Sequence, residues 1–231
     1  MIFRRKPRLE VPDGSEQEVA APEPPSLRET GPWDRSETEA DESDGTYVDL
    51  GGLVVKSAPS FELRLQVEEQ SQRVAAVLLA GAESGLELRA FAAPRKSGIW
   101  AEVRSDIVAE ADRRGGAATE VEGAFGPELL VVVPAQTPDG RQATQTSRIV
   151  GVDGPRWMLR GTFLGKSSVG SGVDDALEQA FRDVIVVRGA APMRPREILE
   201  MRMPEQAKQT WGEAESGSPD AEAAAQDGSS L

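Results

Sequence analysis

The chain has 231 residues, contains no Cys and no His, and carries a formal net charge of −13. Those two absences exclude disulfides, zinc sites built on thiolate or imidazole, Cys nucleophiles and every Ser–His or Cys–His catalytic pair. The charge belongs to the ends: residues 9–49 hold 13 acidic groups against Arg28 and Arg35, residues 204–231 hold six against Lys208, and residues 50–203 nearly balance at 20 acids and 19 bases.

"MIFRRKPR" opens the chain with four basic residues and no apolar stretch after them, so it does not read as a signal peptide. The acidic segments are rich in Pro, Glu, Ser, Gly and Ala. Such segments bury too little apolar surface to offset an ordering cost of roughly 1–2 kcal/mol per residue. Residues 1–45 (a basic start, then acidic) and 205–231 are therefore expected to be disordered tails around a single domain over 46–204. Within the first tail, "GPWD" (Gly31–Asp34) stands apart. An aromatic such as Trp33 is costly to leave in water and anchors docked segments, so Trp33 is expected to dock, by preference on the core of its own chain.

Inside the domain, "YVDLGGLVV" from Tyr47 reads as a short strand broken by Gly51 and Gly52. In "FELRLQV", Phe61, Leu63, Leu65 and Val67 alternate with Glu62, Arg64 and Gln66, which is the period of a half-buried strand. "RVAAVLLA" (73–80) is an unbroken apolar run, and "GLELRAFAA" (85–93) alternates again. From Ile99 to Arg114 the period changes: Ile99, Val103 and Ile107 fall on one stripe, and Gly115 and Gly116 supply a stop. Strands are expected at about 119–124, 129–133, 145–152 and 156–164. In "VDDALEQAFRDV", Ala176, Leu177, Ala180, Phe181 and Val184 return to helical spacing, and "VIVVR" leaves it as a short buried strand. Consecutive strands with short turns favour antiparallel pairing. With both helices on one face, the result is an α+β, two-layer domain.

Three runs could carry chemistry. "GVDGPRWMLRG" (151–161) places Asp153-Gly154 between two strand-like segments, a strong hairpin signal, with Pro155 opening the returning strand. The competing reading uses Asp153 as acid, base or ligand. "GTFLGKSS" (161–168) has only three residues between its glycines, where a phosphate loop has four, and Phe163 and Leu164 are strand residues. Basic residues cluster in "PRKSGIW" (Arg95, Lys96), around Arg156 and Arg160, at Lys166 and in "GAAPMRPRE" (Arg194, Arg196). If strand ends bring them together, they form a basic rim for an anionic ligand or an acidic partner. No pair of carboxylates can be placed face to face, so general acid–base catalysis has no positive support. No catalytic residue, metal site or cofactor is assigned.

Several motifs in one order, "GPWD", "YVDLGGLVV", "LRAFAAPRKSGIWAEVR", "EGAFGPELLV", "VGVDGPRWMLRG" and "RDVIVVRGAAPMRPREIL", resemble those of an uncharacterised actinobacterial protein family, a domain of unknown function numbered 3710. The resemblance covers about Gly31 to Pro204. It implies a cytoplasmic actinobacterial protein with variable ends and brings no catalytic residue with it.

The composition thus favours a non-enzymatic protein-interaction module with an unknown protein partner. The alternative is binding or hydrolysis of an anionic, nucleotide-like ligand at the basic rim. A third reading, binding of nucleic acid, is weakened by the overall acidity and by the few aromatics available for base stacking. The longest apolar runs, such as "VAAVLLAGA" (74–82), fall far short of the ~20 residues a spanning helix needs, so no membrane span is expected and the cytoplasm is the expected location.

Overall fold

The structure, a computed structural model, describes residues 30–38, 46–68, 73–137, 139–169 and 175–203. The strands run in chain order from β1 (Trp33–Asp34), inside the acidic arm, through the apolar runs of β2 (Tyr47–Asp49), β3 (Leu53–Lys56), β4 (Glu62–Glu68), β5 (Arg73–Ala80) and β6 (Ser84–Ala92). Helix α1 (Trp100–Arg113) follows, then β7 (Ala117–Gly123), β8 (Gly126–Gln136), β9 (Gln142–Gly154) and β10 (Trp157–Gly165). Helix α2 (Asp175–Arg182) and β11 (Ile185–Val186) complete the order. Seven strands make an antiparallel sheet in the order β4-β5-β6-β10-β9-β8-β7, and four make a smaller sheet, β1-β11-β3-β2. The α+β class with mostly antiparallel strands therefore stands as read from the sequence.

The layering is richer than two layers with both helices on one face. β9 and β10 are apolar on both sides. Val150, Val152, Trp157, Leu159 and Phe163 face a core shared with Leu177, Ala180 and Phe181 of α2 and with Leu53, Val55 and Val186 of the smaller sheet. On the opposite side, Met158 packs with Ile99 and Trp100, and Leu129 and Val131 pack with Ala111 of α1. A central strand covered on both faces reads as a continuous apolar run, and such a run cannot by itself say which helix goes on which face. Helix α1 thus covers one face of the large sheet, while α2 and the smaller sheet cover the other.

Two end segments hold the sheets together. β1 pairs in parallel with β11, with Trp33 opposite Ile185 and Asp34 opposite Val186. The Trp33 N–H donates to the Val184 carbonyl, and the Arg35 N–H to that of Val186. The fold therefore begins before residue 46. The edge of β11 offers main-chain groups that need partners, and a short stretch of an otherwise acidic arm supplies them. At the other end, β5 and β6 pair directly only over Val77–Ala80 and Gly85–Leu88. Beyond that they part, and residues 196–201 fill the gap. The Ala92 N–H donates to the Glu197 carbonyl, the Leu199 N–H to that of Ala90, and Met201 bridges to Val74. The Arg202 N–H then reaches the Leu50 carbonyl of the smaller sheet. The remainder of both expected tails lies outside the described residues.

Candidate functional site

The β9–β10 hairpin turns one step later than its Asp-Gly pair suggests. Gly154 still pairs with Trp157, which leaves Pro155 and Arg156 as the two central residues. Pro155 suits the first because its ring fixes φ, and the second requires positive φ, as in a type II turn. Arg156 occupies it at φ 66°. An L residue held there costs about 1–3 kcal/mol, at a position where Gly would be at ease.

Asp153 has a tertiary task. Its Oδ1 accepts the Ile99 N–H at 2.8 Å, and both oxygens lie 3.2–3.3 Å from the Trp100 nitrogen. Helix α1 has no side-chain cap of its own, so a carboxylate from β9 satisfies its first donors and complements the positive end of its dipole. Space for this contact comes from Gly98, where a Cβ would lie 2.1 Å from the Asp153 Oδ2. Gly151 plays the same part for the Trp100 ring, which a Cβ would approach to 2.3 Å. The Trp100 indole N–H donates to the Pro127 carbonyl at 2.8 Å. The reading of Asp153 as acid, base or ligand gives way to this structural role, because its oxygens are taken up by the helix start.

The seven basic residues of the expected rim do not form one site. Arg156 sits at the hairpin turn, and its carbonyl accepts the Ala93 N–H, which brings the loop holding Arg95 and Lys96 to the same end of the sheet. The segment with Arg194 and Arg196 arrives there through the Arg196 N–H, bonded to the Ala92 carbonyl. Arg196 also has positive φ, 68°. Its guanidinium bridges Glu102 at 2.9 Å and Asp106 at 2.6 Å on α1. Those contacts account for it and hold its pKa above the ordinary value.

Arg160 lies mid-strand, over the Phe91 ring and 3.6 Å from Glu87. Burial, then the neighbouring Arg89, pulls its pKa down. Lys166 follows the last residue of β10, about 30 Å along a nine-residue strand from the hairpin, and pairs with Glu83. Ser167 and Ser168 turn their hydroxyls onto the Leu164 and Gly165 carbonyls. That closes a turn and leaves no phosphate cradle, in agreement with the short glycine spacing. Of the seven, Arg95, Lys96, Arg156, Arg194 and Arg196 lie at the hairpin end.

Two arginines outside the expected rim, Arg35 and Arg188, complete that end. A cleft of about 430 Å³ is lined by Asp34, Arg35, Ser36, Pro155, Arg156, Val187, Arg188 and Gly189. Arg188 is buried, its Nε donating to the Arg156 carbonyl at 3.2 Å and its Nη1 to that of Ala191 at 3.1 Å. Burial and then the charge of Arg156 push its pKa below the ordinary value. Arg188 follows β11 directly, and only the pairing of that strand with β1 and β3 brings it under the hairpin. An Arg-Gly step after an apolar run was the available signal.

The same cleft borders a larger groove of about 1350 Å³ between the two sheets, which Val187 and Arg188 also line. Val67, Val74, Met193, Leu199, Met201 and Met203 give it apolar walls. Arg73, Arg188 and Arg202 stand on it with Glu197 and Glu200.

A charged cluster also lies inside the protein. Arg148 and Glu128 are 2 % and 1 % exposed. The Arg148 Nη2 donates to the Glu178 carboxylate of α2 at 2.7 Å, its Nη1 stands 3.5 Å from Glu128, and its guanidinium stacks 4.3 Å from the Phe163 ring centre. Burial raises the Glu128 pKa above 4.5, against the lowering effects of the Phe125 N–H and of Arg148. The signal in the sequence was a lone Glu in "GPELLVVV" and a lone Arg in "SRIVGV". This cluster ties α2 to β8 and β9 and faces no cavity described above. Among the described residues no group of three or more Asp or Glu side chains could hold a metal ion, and no helix is long and apolar enough to cross a membrane.

No curated protein matches the chain. Among solved structures, a crystal structure from Bacteroides thetaiotaomicron is similar at 13 % identity with a TM-score of 0.38, over 70 % of this chain and 54 % of that one. This chain thus spans about half the length of that protein. The family described as a protein of unknown function (DUF3710) matches residues 31–210. The match starts at Gly31, the residue before Pro32 and β1, and runs through the segment 196–202 that joins the sheets. By that match the chain belongs to the DUF3710 family of proteins of unknown function.

Proposed function

We propose that this chain is a non-enzymatic protein-interaction module, working in the cytoplasm of an actinobacterium, which holds an extended segment of a partner protein in the groove between its two sheets. The observation that carries the reading is the groove itself. Its size suits a peptide segment, and Met193, Met201 and Met203 give it soft walls that adapt to more than one side chain. Arg73 pairs with Glu200, so Arg188 and Arg202 supply the remaining positive charge on that side. A partner segment with apolar anchors and acidic flanks fits this lining. Val67, on the edge strand β4, is an exposed wall residue, so Val67→Asp alters the groove without touching the buried core.

Crosslinked affinity purification with the full chain and with Val67→Asp, side by side, tests the reading. A protein recovered by the first and lost by the second supports groove binding. Equal recovery by both chains places the contact elsewhere and ends this proposal. Nucleic-acid binding is the less favoured alternative, because Lys166 and Arg156 lie at opposite ends of β10 and Arg196 is neutralised by α1.

A further inference from the structure

We propose that the cleft at the hairpin end binds the dianionic head of a small phosphate monoester between the guanidinium groups of Arg156 and Arg188. Four observations lead there, at a cleft that shares Val187 and Arg188 with the groove. First, of the two non-glycine residues with positive φ among the described residues, Arg196 is explained by its two carboxylate partners, whereas Arg156 makes no salt bridge among those residues. A turn that would accept Gly freely instead carries a guanidinium at the mouth of a cleft.

Second, Arg188 is locked from behind. Nε and Nη1 are spent on the Arg156 and Ala191 carbonyls, and Nη2 makes no hydrogen bond among the described residues. A guanidinium held in this way is pre-organised for an oxyanion, since its rotamer freedom has already been given up. Third, the charge of Arg156 disfavours that of Arg188, and Arg188 likewise has no salt bridge among the described residues. The carboxylate in the cleft wall, Asp34, is occupied: Oδ1 takes the Ser36 N–H and hydroxyl, and Oδ2 the Trp157 indole N–H at 2.7 Å. Glu197, whose charge also reaches Arg188, accepts the Arg194 N–H. Fourth, the volume of about 430 Å³ lies at the small end of the range of about 300–1,000 Å³ for small-molecule sites. Arg95 and Lys96, exposed on the neighbouring loop, add to the positive field at the entrance.

The test is an amide NMR titration of the full chain with inorganic phosphate, with a nucleoside monophosphate and with acetate, all at one ionic strength and neutral pH. The expected result is a saturable shift of the Arg156, Arg188 and Gly189 amides and of the Trp157 indole N–H with both phosphate probes and not with acetate. Arg156→Gly keeps the turn conformation while deleting the guanidinium, and should weaken phosphate binding about tenfold, or about 1.4 kcal/mol. Arg188→Lys, which keeps the charge and loses the fork, should weaken it as well. Shifts absent from the cleft, shifts of equal size with acetate, or an Arg156→Gly chain that titrates like the parent would each overturn the assignment. Tighter binding of the nucleoside monophosphate than of phosphate, with added shifts at Pro155-flanking or Ser36 amides, would support a monoester over the free ion.

Discussion

At the scale of single residues, the most informative side chains are those whose chemistry is absorbed by the fold. Asp153 resembles a catalytic carboxylate in the linear chain, yet it serves as the missing cap of α1. Asp153→Ala should lower stability by about 1–2 kcal/mol, and Asp153→Asn by less, because an oxygen acceptor remains. Urea denaturation of the three chains measures this, and an Ala variant as stable as the parent would remove the capping role. Glu128 offers a pH-dependent counterpart. Its pKa is raised by burial above 4.5, so the folded protein binds its proton more tightly than the unfolded chain does. The sign follows from linkage: this residue's contribution is greatest below about 4.5 and declines as pH rises through the elevated folded value. Taken as the difference in denaturation midpoint between the parent and Glu128→Gln, it should fall from pH 4 to pH 7; a flat or rising difference would contradict the assignment.

At the scale of elements, the long periodic segments were legible, as were the short strands β2, β3 and β11 in "YVDLGGLVV" and "VIVVR", whereas β1 was not. β4, β5, β6, α1, β8 and β10 fall within a few residues of their expected positions, because each carries enough apolar side chains to declare a period of 2 or 3.6. β1 has two residues and no period. Its existence depends on β11 and on the Trp157 indole N–H, which donates to Asp34 from a fully buried ring. Asp34→Ala would leave that donor without this acceptor and cost about 1–3 kcal/mol. Hydrogen exchange should then quicken at β1 and β11 while β8 and β9 stay protected; unchanged exchange at β1 would mean that pairing with β11 suffices alone.

At the scale of the whole molecule, the two sheets are joined by the segment 196–202 rather than by a shared strand. Its hydrogen bonds to Ala90, Ala92 and Leu50 span both sheets, and Leu199 and Met201 are buried in the main core. A chain ending at Met203 should unfold in one transition at nearly the parent's midpoint. A chain ending at Arg194 should lose cooperativity, because it opens the gap between β5 and β6 and uncovers the groove. Calorimetry of the two truncations distinguishes these outcomes, and equal transitions would show that the segment lies on the fold without supporting it.

The amino-acid sequence by itself determined the α+β class, the mostly antiparallel pairing of the strands, the positions of both helices, the concentration of charge at the ends and the absence of thiol and imidazole chemistry. Each of these depends on local periodicity or on composition, which a linear chain displays directly. Only the tertiary structure decided that α1 and α2 take opposite faces of the large sheet, that Gly31–Asp34 belongs to the fold, and that Arg160 and Lys166 lie along and beyond β10 from the hairpin turn while Arg188 lies under it. Those outcomes depend on which strand ends meet. Pairing partners are chosen by the collective burial of residues far apart in the chain, such as Trp157 with Asp34 and Arg188 with the turn at Arg156.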